Sequence, residues 1–219
     1  MINSAEEYLK RTESAASRIF DGISSYIEIL RDAPKPTFSG SFDGSETRKQ
    51  AFDSWAANNE EAIKLSLKAQ REFSAESFAL ATLCGSLLQI AYMGIQWFSE
   101  NQEIPDNLPK DLHSLLKPKT KPAKFCIGRK IRSIPIGLII YAGRNQSNHM
   151  EDEKLHGLNA TVFNLLASNH CDTASTFKDP AFDLENETLI NFSSNITALL
   201  DWSDYKSYCR DMHALIVAV

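Results

Sequence analysis

Three common catalytic signatures are missing from this 219-residue chain: no GxGxxG, no GxxxxGK[ST] and no GxSxG occurs. Their absence removes the usual glycine-rich cradles for dinucleotides and triphosphates and the serine turn of α/β-hydrolases. Cysteine is sparse. Cys84, Cys126, Cys171 and Cys209 are scattered with no CxxC pair, so neither a zinc ribbon nor a dithiol redox motif is encoded, and they read as reduced, mostly buried thiols. Only 9 glycines and 8 prolines punctuate the chain, which leaves room for long helices. The most apolar stretch, 83–98, is interrupted by Gln89 and Gln96 and falls short of the roughly 20 residues a bilayer span requires, so a buried core helix is expected there. The opening MINSAEEYLKRTESAASRIF has charges where a secretory signal needs an apolar core, which points to a cytoplasmic protein without membrane association. In that compartment the Asn-x-Ser/Thr triplets at Asn159, Asn186, Asn191 and Asn195 carry no glycan.

What is present is the composition of an ordinary globular protein, 43% hydrophobic and 23% charged. The apolar periodicity predicts an all-α, single-domain helical bundle (1–219) of about five to seven helices, with a long Pro/Lys-rich connection over 101–125 as the best place for a sub-boundary. A first helix over 4–30 opens on a Ser4/Glu7 capping box and stops before Pro34. A second pattern covers 46–72 and a third, almost wholly apolar, 74–98; a short turn falls at 111–116. The β-branched run 134–141 reads as a helix starting at Ser133 with Pro135 in its first turn, with strand as the alternative. Further helices are expected over 155–167, 189–200 and 205–219, the last ending in an apolar run that needs the core or another subunit to cover it.

A net charge of −5 argues against a general nucleic-acid binder, but the charge is uneven. No Asp or Glu occurs from 112 to 150, while Lys117, Lys119, Lys121, Lys124, Arg129, Lys130, Arg132 and Arg144 give that stretch +8. Such a segment fits a polyanion or, equally, a solvated lysine-rich loop. It leads into Gly143-Arg144-Asn145-Gln146-Ser147-Asn148-His149. Imidazole can move the 2′-hydroxyl proton of RNA near neutral pH, and a fixed guanidinium can meet the charge that grows on the phosphate.

An arginine, a polar residue after it and a histidine four to six positions on resemble the active-site motif of the HEPN superfamily of helical-bundle ribonucleases, over residues 127–167. The resemblance implies a metal-independent RNA endonuclease acting as a homodimer, with both motif copies in one cleft and a 2′,3′-cyclic phosphate as product. It implies no cofactor, and a role as a toxin or phage-defence effector neutralised by a partner protein. Arg144 would hold the phosphate, His149 would be general acid or base, and Asn145 would orient the pair. Arg129, Lys130 and Arg132 are candidate RNA contacts. On an unbroken helix residues five apart lie roughly 140° round the axis, so either the helix ends or distorts near Gly143 or the two groups act from different subunits. Exposed polar residues at a helix end are the plain alternative for both, and a non-catalytic helical interaction module is the alternative for the protein. His149, Glu153 and His156 also share one helical face, but a di-iron bundle needs a second Glu-x-x-His and none occurs. No metal site is expected.

Overall fold

A computed structural model describes residues 2–41, 43–149, 155–169 and 177–217. Within them the protein is all-α: eight α-helices and one two-stranded hairpin. The helices are α1 (Ala5–Arg31), α2 (Ser45–Asn58), α3 (Glu60–Phe98), α4 (Lys110–Leu115), α5 (Ile136–Asn148), α6 (Gly157–Ser168), α7 (Ser193–Leu199) and α8 (Tyr205–Ile216). The hairpin is β1 (Lys130–Ile131) and β2 (Ile134–Pro135), and a 3₁₀ turn covers Lys121–Phe125. The chain divides into two compact units, 1–22 with 79–219, and 23–78; the sub-boundary expected over 101–125 therefore falls inside the larger unit.

In the smaller unit α2 has no buried residue, and its aromatic side chains meet a neighbouring loop: Phe38 lies 5.3 Å from Phe52 and 5.6 Å from Trp55, between ring centres. The break expected near residue 73 is absent, and α3 runs 39 residues from Glu60. Nothing in 60–84 interrupts a helix, since that stretch holds neither glycine nor proline and polar residues merely face solvent. By length and composition α3 could cross a bilayer, and 56% of its most apolar window is buried inside the protein.

The larger unit is built round α5, whose Ile136, Leu138, Ile139, Ile140 and Ala142 are all buried. It packs against α6 (Val162, Phe163, Leu166), α7 and the 3₁₀ turn. The apolar C-terminus is covered by this core, with Leu215 and Ile216 buried; 218–219 lie outside the described residues. At the N-terminus Ser4 Oγ accepts from the Glu7 amide at 3.2 Å, while Glu7 reaches back to the Asn3 amide at 2.8 Å instead of Ser4, so the expected box is half formed.

The segment expected as helix from Ser133 begins three residues later. Ile134 and Pro135 pair with Ile131 and Lys130, and Pro135 caps α5 rather than lying in its first turn. Arg132 and Ser133 form the connecting turn with φ of +50° and +68°, the left-handed pair that a type I′ turn demands. Neither residue is a glycine or asparagine, so the local sequence carries no hairpin signal. The compensation is tertiary: the Arg132 guanidinium donates to the Leu166 carbonyl, pairs with Asp179 Oδ2 at 2.7 Å and stacks on Phe182 at 4.9 Å.

Candidate functional site

α5 carries the motif at its C-terminal end. Gly143 lets two helices come close to it, since a Cβ there would sit 3.2 Å from both Leu88 on α3 and Ile196 on α7. One residue on, Arg144 emerges at this close approach, half-buried, with its guanidinium carbon 4.6 Å from the centre of the Tyr92 ring. Its Nε donates to Gln89 Oε1 at 2.7 Å and its Nη1 to Asn145 Oδ1 at 3.1 Å. With the Asn148 amide oxygen turned toward the guanidinium, that oxygen accepts from Nε at 3.2 Å and Nη2 at 3.1 Å. Asn145 in turn donates to Asn159 Oδ1 on α6 at 3.2 Å, which locks the amide that orients Arg144. All of these acceptors are neutral amides. Among the described residues no carboxylate pairs with Arg144.

The helix ends at Asn148, and His149 takes the C-cap position (φ −125°, ψ 32°), its amide donating to the carbonyls of Asn145 and Gln146 at 3.1 and 3.2 Å. This ending releases the His149 side chain from helical phase, one of the two ways in which both motif residues could face one phosphate. The imidazole is exposed, and among the described residues no hydrogen bond joins it to Arg144. Arg144 and Asn145 are thus brought together, while His149 lies one turn away at the helix end.

A second cation reaches the same place from the lysine-rich connection. Lys121 Nζ lies 5.1 Å from the centre of the Tyr92 ring that Arg144 also stacks on, and it too has no carboxylate partner among the described residues. Cations favour aromatic faces by about 0.5–2 kcal/mol, which offsets part of the cost of holding two like charges near one ring.

Of the three residues expected to touch RNA, two are paired with carboxylates and one is exposed. Arg129 donates through Nε and Nη2 to Asp211 at 3.2 and 2.9 Å and through Nη2 to the Leu200 carbonyl at 2.6 Å. Asp211 is 4% exposed and also accepts from Trp202 Nε1 at 3.0 Å, so it joins β1 and α8 to the chain between α7 and α8. Arg132 is held by Asp179 as described above. Lys130 is exposed and donates to the Asn107 carbonyl at 2.8 Å.

Sequence reasoning missed Gln89, Gln146 and Lys121. Gln89 was legible only as an interruption in an apolar helix. Buried Gln146 donates to the Ile190 carbonyl at 2.8 Å and accepts from the Phe192 amide at 3.0 Å, which pins the backbone on either side of Asn191. Among the described residues no group of three or more His, Cys, Asp or Glu could hold a metal, and Glu153 of the Glu-x-x-His pattern lies outside them, as do Cys171 and His170. Burial pushes the Cys84 and Cys126 thiols up to about 11, so both stay protonated near neutral pH and are poor nucleophiles.

The fold and site therefore define an all-α protein with a guanidinium held by amides at a helix end. No protein-family model, no curated protein and no solved structure matches the chain.

Proposed function

We propose that this protein is a metal-independent RNA endonuclease of HEPN type, working as a homodimer in which two copies of Arg144 and His149 line one cleft. The observation that carries the reading is the state of Arg144: a half-buried guanidinium oriented by three amide oxygens and, among the described residues, paired with no carboxylate. Amide carbonyls fix its direction without cancelling its charge, so the cation remains available to an anion. Preorganised charge of this kind stabilises a transition state because it costs no reorganisation when the phosphorane forms. Lys121 adds to the same positive region.

In the proposed reaction one His149 takes the 2′-hydroxyl proton, the 2′-oxygen attacks phosphorus, and the bond to the 5′-oxygen breaks as the partner's His149 protonates that oxygen. Arg144 holds the non-bridging oxygens throughout, and a 2′,3′-cyclic phosphate remains on the upstream fragment. The family resemblance places such an enzyme among cytoplasmic toxins or phage-defence effectors with a neutralising partner protein. Arg129 and Arg132 already serve the fold through Asp211 and Asp179, so the RNA contacts proposed here are Arg144, Lys121 and Lys130.

The test is cleavage of a mixed RNA pool in EDTA by purified protein, comparing wild type with His149→Ala and Arg144→Ala. Cleavage that survives EDTA, leaves cyclic phosphate ends and is lost in both variants supports the reading. Cleavage retained by both variants refutes it. Absence of cleavage by the wild type favours the alternative of a non-catalytic interaction module, for which the exposed Ile190 and Trp97 offer apolar contact.

A further inference from the structure

Beside Arg144 a cleft opens between α3 and the end of α5, lined among others by Gly85, Gln89, Ser147, Asn148 and Asn191. Three primary amides line it, and the oxygen of each is tied down from within. Gln89 Oε1 and the Asn148 oxygen accept from Arg144, and Asn191 Oδ1 accepts from the Ser193 amide at 2.9 Å. An amide whose oxygen already accepts keeps its NH₂ as its main remaining hydrogen-bonding capacity, with at most one lone pair left on the oxygen. The Asn191 case is the sharpest: the residue is 9% exposed, and among the described residues its buried Nδ2 has no partner. Next to it the Ser193 hydroxyl, fully buried, is likewise unpartnered and lies 3.3 Å from where a Cβ on Gly85 would stand. A buried donor left unmade is unfavourable, and Gln146 clamps the backbone on both sides of Asn191 and so keeps it there. Gly85 keeps the floor of the cleft open, because a Cβ would run into Ser147 Oγ.

The cleft thus has amides along its wall, and two of them, Gln89 and Asn148, link it to Arg144, which lies behind that wall and does not itself line the cleft. A guanidinium has five N–H groups; three are engaged by Gln89, Asn145 and Asn148, which leaves one on each Nη. A group made only of acceptors and carrying negative charge matches that set, and a nucleobase edge, which mixes donors with acceptors, matches it less well. We propose that this cleft is a phosphate-binding subsite, in which the NH₂ groups of Gln89, Asn148 and Asn191 act together with Arg144 on one phosphoryl group. The proposal rests on the reading of Arg144 as a phosphate ligand, but it requires no cleavage.

The test is calorimetric titration of the full chain with inorganic phosphate and with a 2′-deoxy oligonucleotide that cannot be cleaved by 2′-oxygen attack. Asn191→Asp replaces the free donor by an anionic oxygen and keeps the acceptor for Ser193. Gln89→Glu keeps the acceptor for Arg144 and neutralises it, with a melting temperature held or raised. The expected result is binding by the wild type that weakens at least about tenfold in both variants, as the loss of a charge-assisted hydrogen bond predicts. Binding of phosphate alone marks a free phosphate or mononucleotide as the source, and binding of both marks the nucleic-acid backbone. No binding of either probe by the wild type, or equal binding by both folded variants, overturns the proposal. Phosphate binding that depends on Asn191 in a protein that cuts no RNA leaves the subsite standing and removes the nuclease. Cleavage that depends on Arg144 and His149, with binding indifferent to both variants, removes the subsite alone.

Discussion

Two basic regions lie within twenty residues of each other in the chain and have opposite chemical surroundings. In the hairpin, Arg129 and Arg132 are each paired with a carboxylate, Asp211 and Asp179, brought in from 82 and 47 residues away. At the end of α5, Arg144 is surrounded by Gln89, Asn145 and Asn148, which bond it as firmly but leave its charge intact. Charge counted along the sequence treats the three alike. What separates them is the partner, because an ion pair consumes a cation's field within a few ångströms whereas an amide only directs it. The hairpin arginines are therefore spent on ion pairs within the fold, and Arg144 is the one to which the proposed function assigns binding.

That contrast can be broken by removing the acids. Asp211→Ala deletes a buried acceptor that serves both Arg129 and Trp202, and should cost about 3 kcal/mol of unfolding free energy in urea titration, the low end of the range for splitting a buried pair because Arg129 is 41% exposed. RNA cleavage per folded molecule should be unchanged. Arg132→Ala should cost about 2 kcal/mol by the same measurement, since it removes the Asp179 pair, the Leu166 hydrogen bond and the Phe182 contact that hold the turn. Asn145→Ala sharpens the other side. It frees Arg144 to rotate and should lower the cleavage rate about tenfold, with a melting temperature close to wild type, because removing a group that orients another typically costs tenfold or more.

The smallest effect belongs to Asp204, which caps α8 by accepting from the Ser207 amide at 2.7 Å. That backbone hydrogen bond, first, and the Ser207 hydroxyl, second, hold its carboxyl below the usual 3.8. A carboxyl depressed by folding contributes stability that is present above its unfolded value and lost as pH falls through the folded one. Asp204→Ala should therefore lower the melting temperature slightly at neutral pH, and the difference from wild type should close as pH drops below 3.8.

Much of this was legible in the sequence, for reasons that differ by element. The first helix was placed to within a residue because its apolar spacing and the proline after it are both local. The end of α5 was less legible: a break near Gly143 is absent, and the helix continues to Asn148 because Gly143 is packed between Leu88 and Ile196. The hairpin was not legible, because Arg132 and Ser133 hold left-handed dihedrals through partners 34 and 47 residues away instead of through a glycine. The amphipathic pattern before residue 73 and the apolar one after it belong to a single helix, because a change in how much of a helix is buried does not end it. At the site, Arg144, Asn145 and His149 stood out as a pattern within six residues. Gln89, Lys121 and Asn191 could not, since only the packing of α3, the lysine-rich connection and the segment before α7 brings them to it.

The proposed division between Arg144 as a working cation and Arg129 as a structural one is tested by comparing Arg144→Gln with Arg129→Gln for RNA cleavage in EDTA and for thermal melting in the same preparations. Arg144→Gln is expected to lose cleavage by about 10³-fold while melting near wild type, and Arg129→Gln to melt several degrees lower yet cleave normally below its transition. Full cleavage by Arg144→Gln, or lost cleavage by Arg129→Gln with unchanged melting, would contradict it.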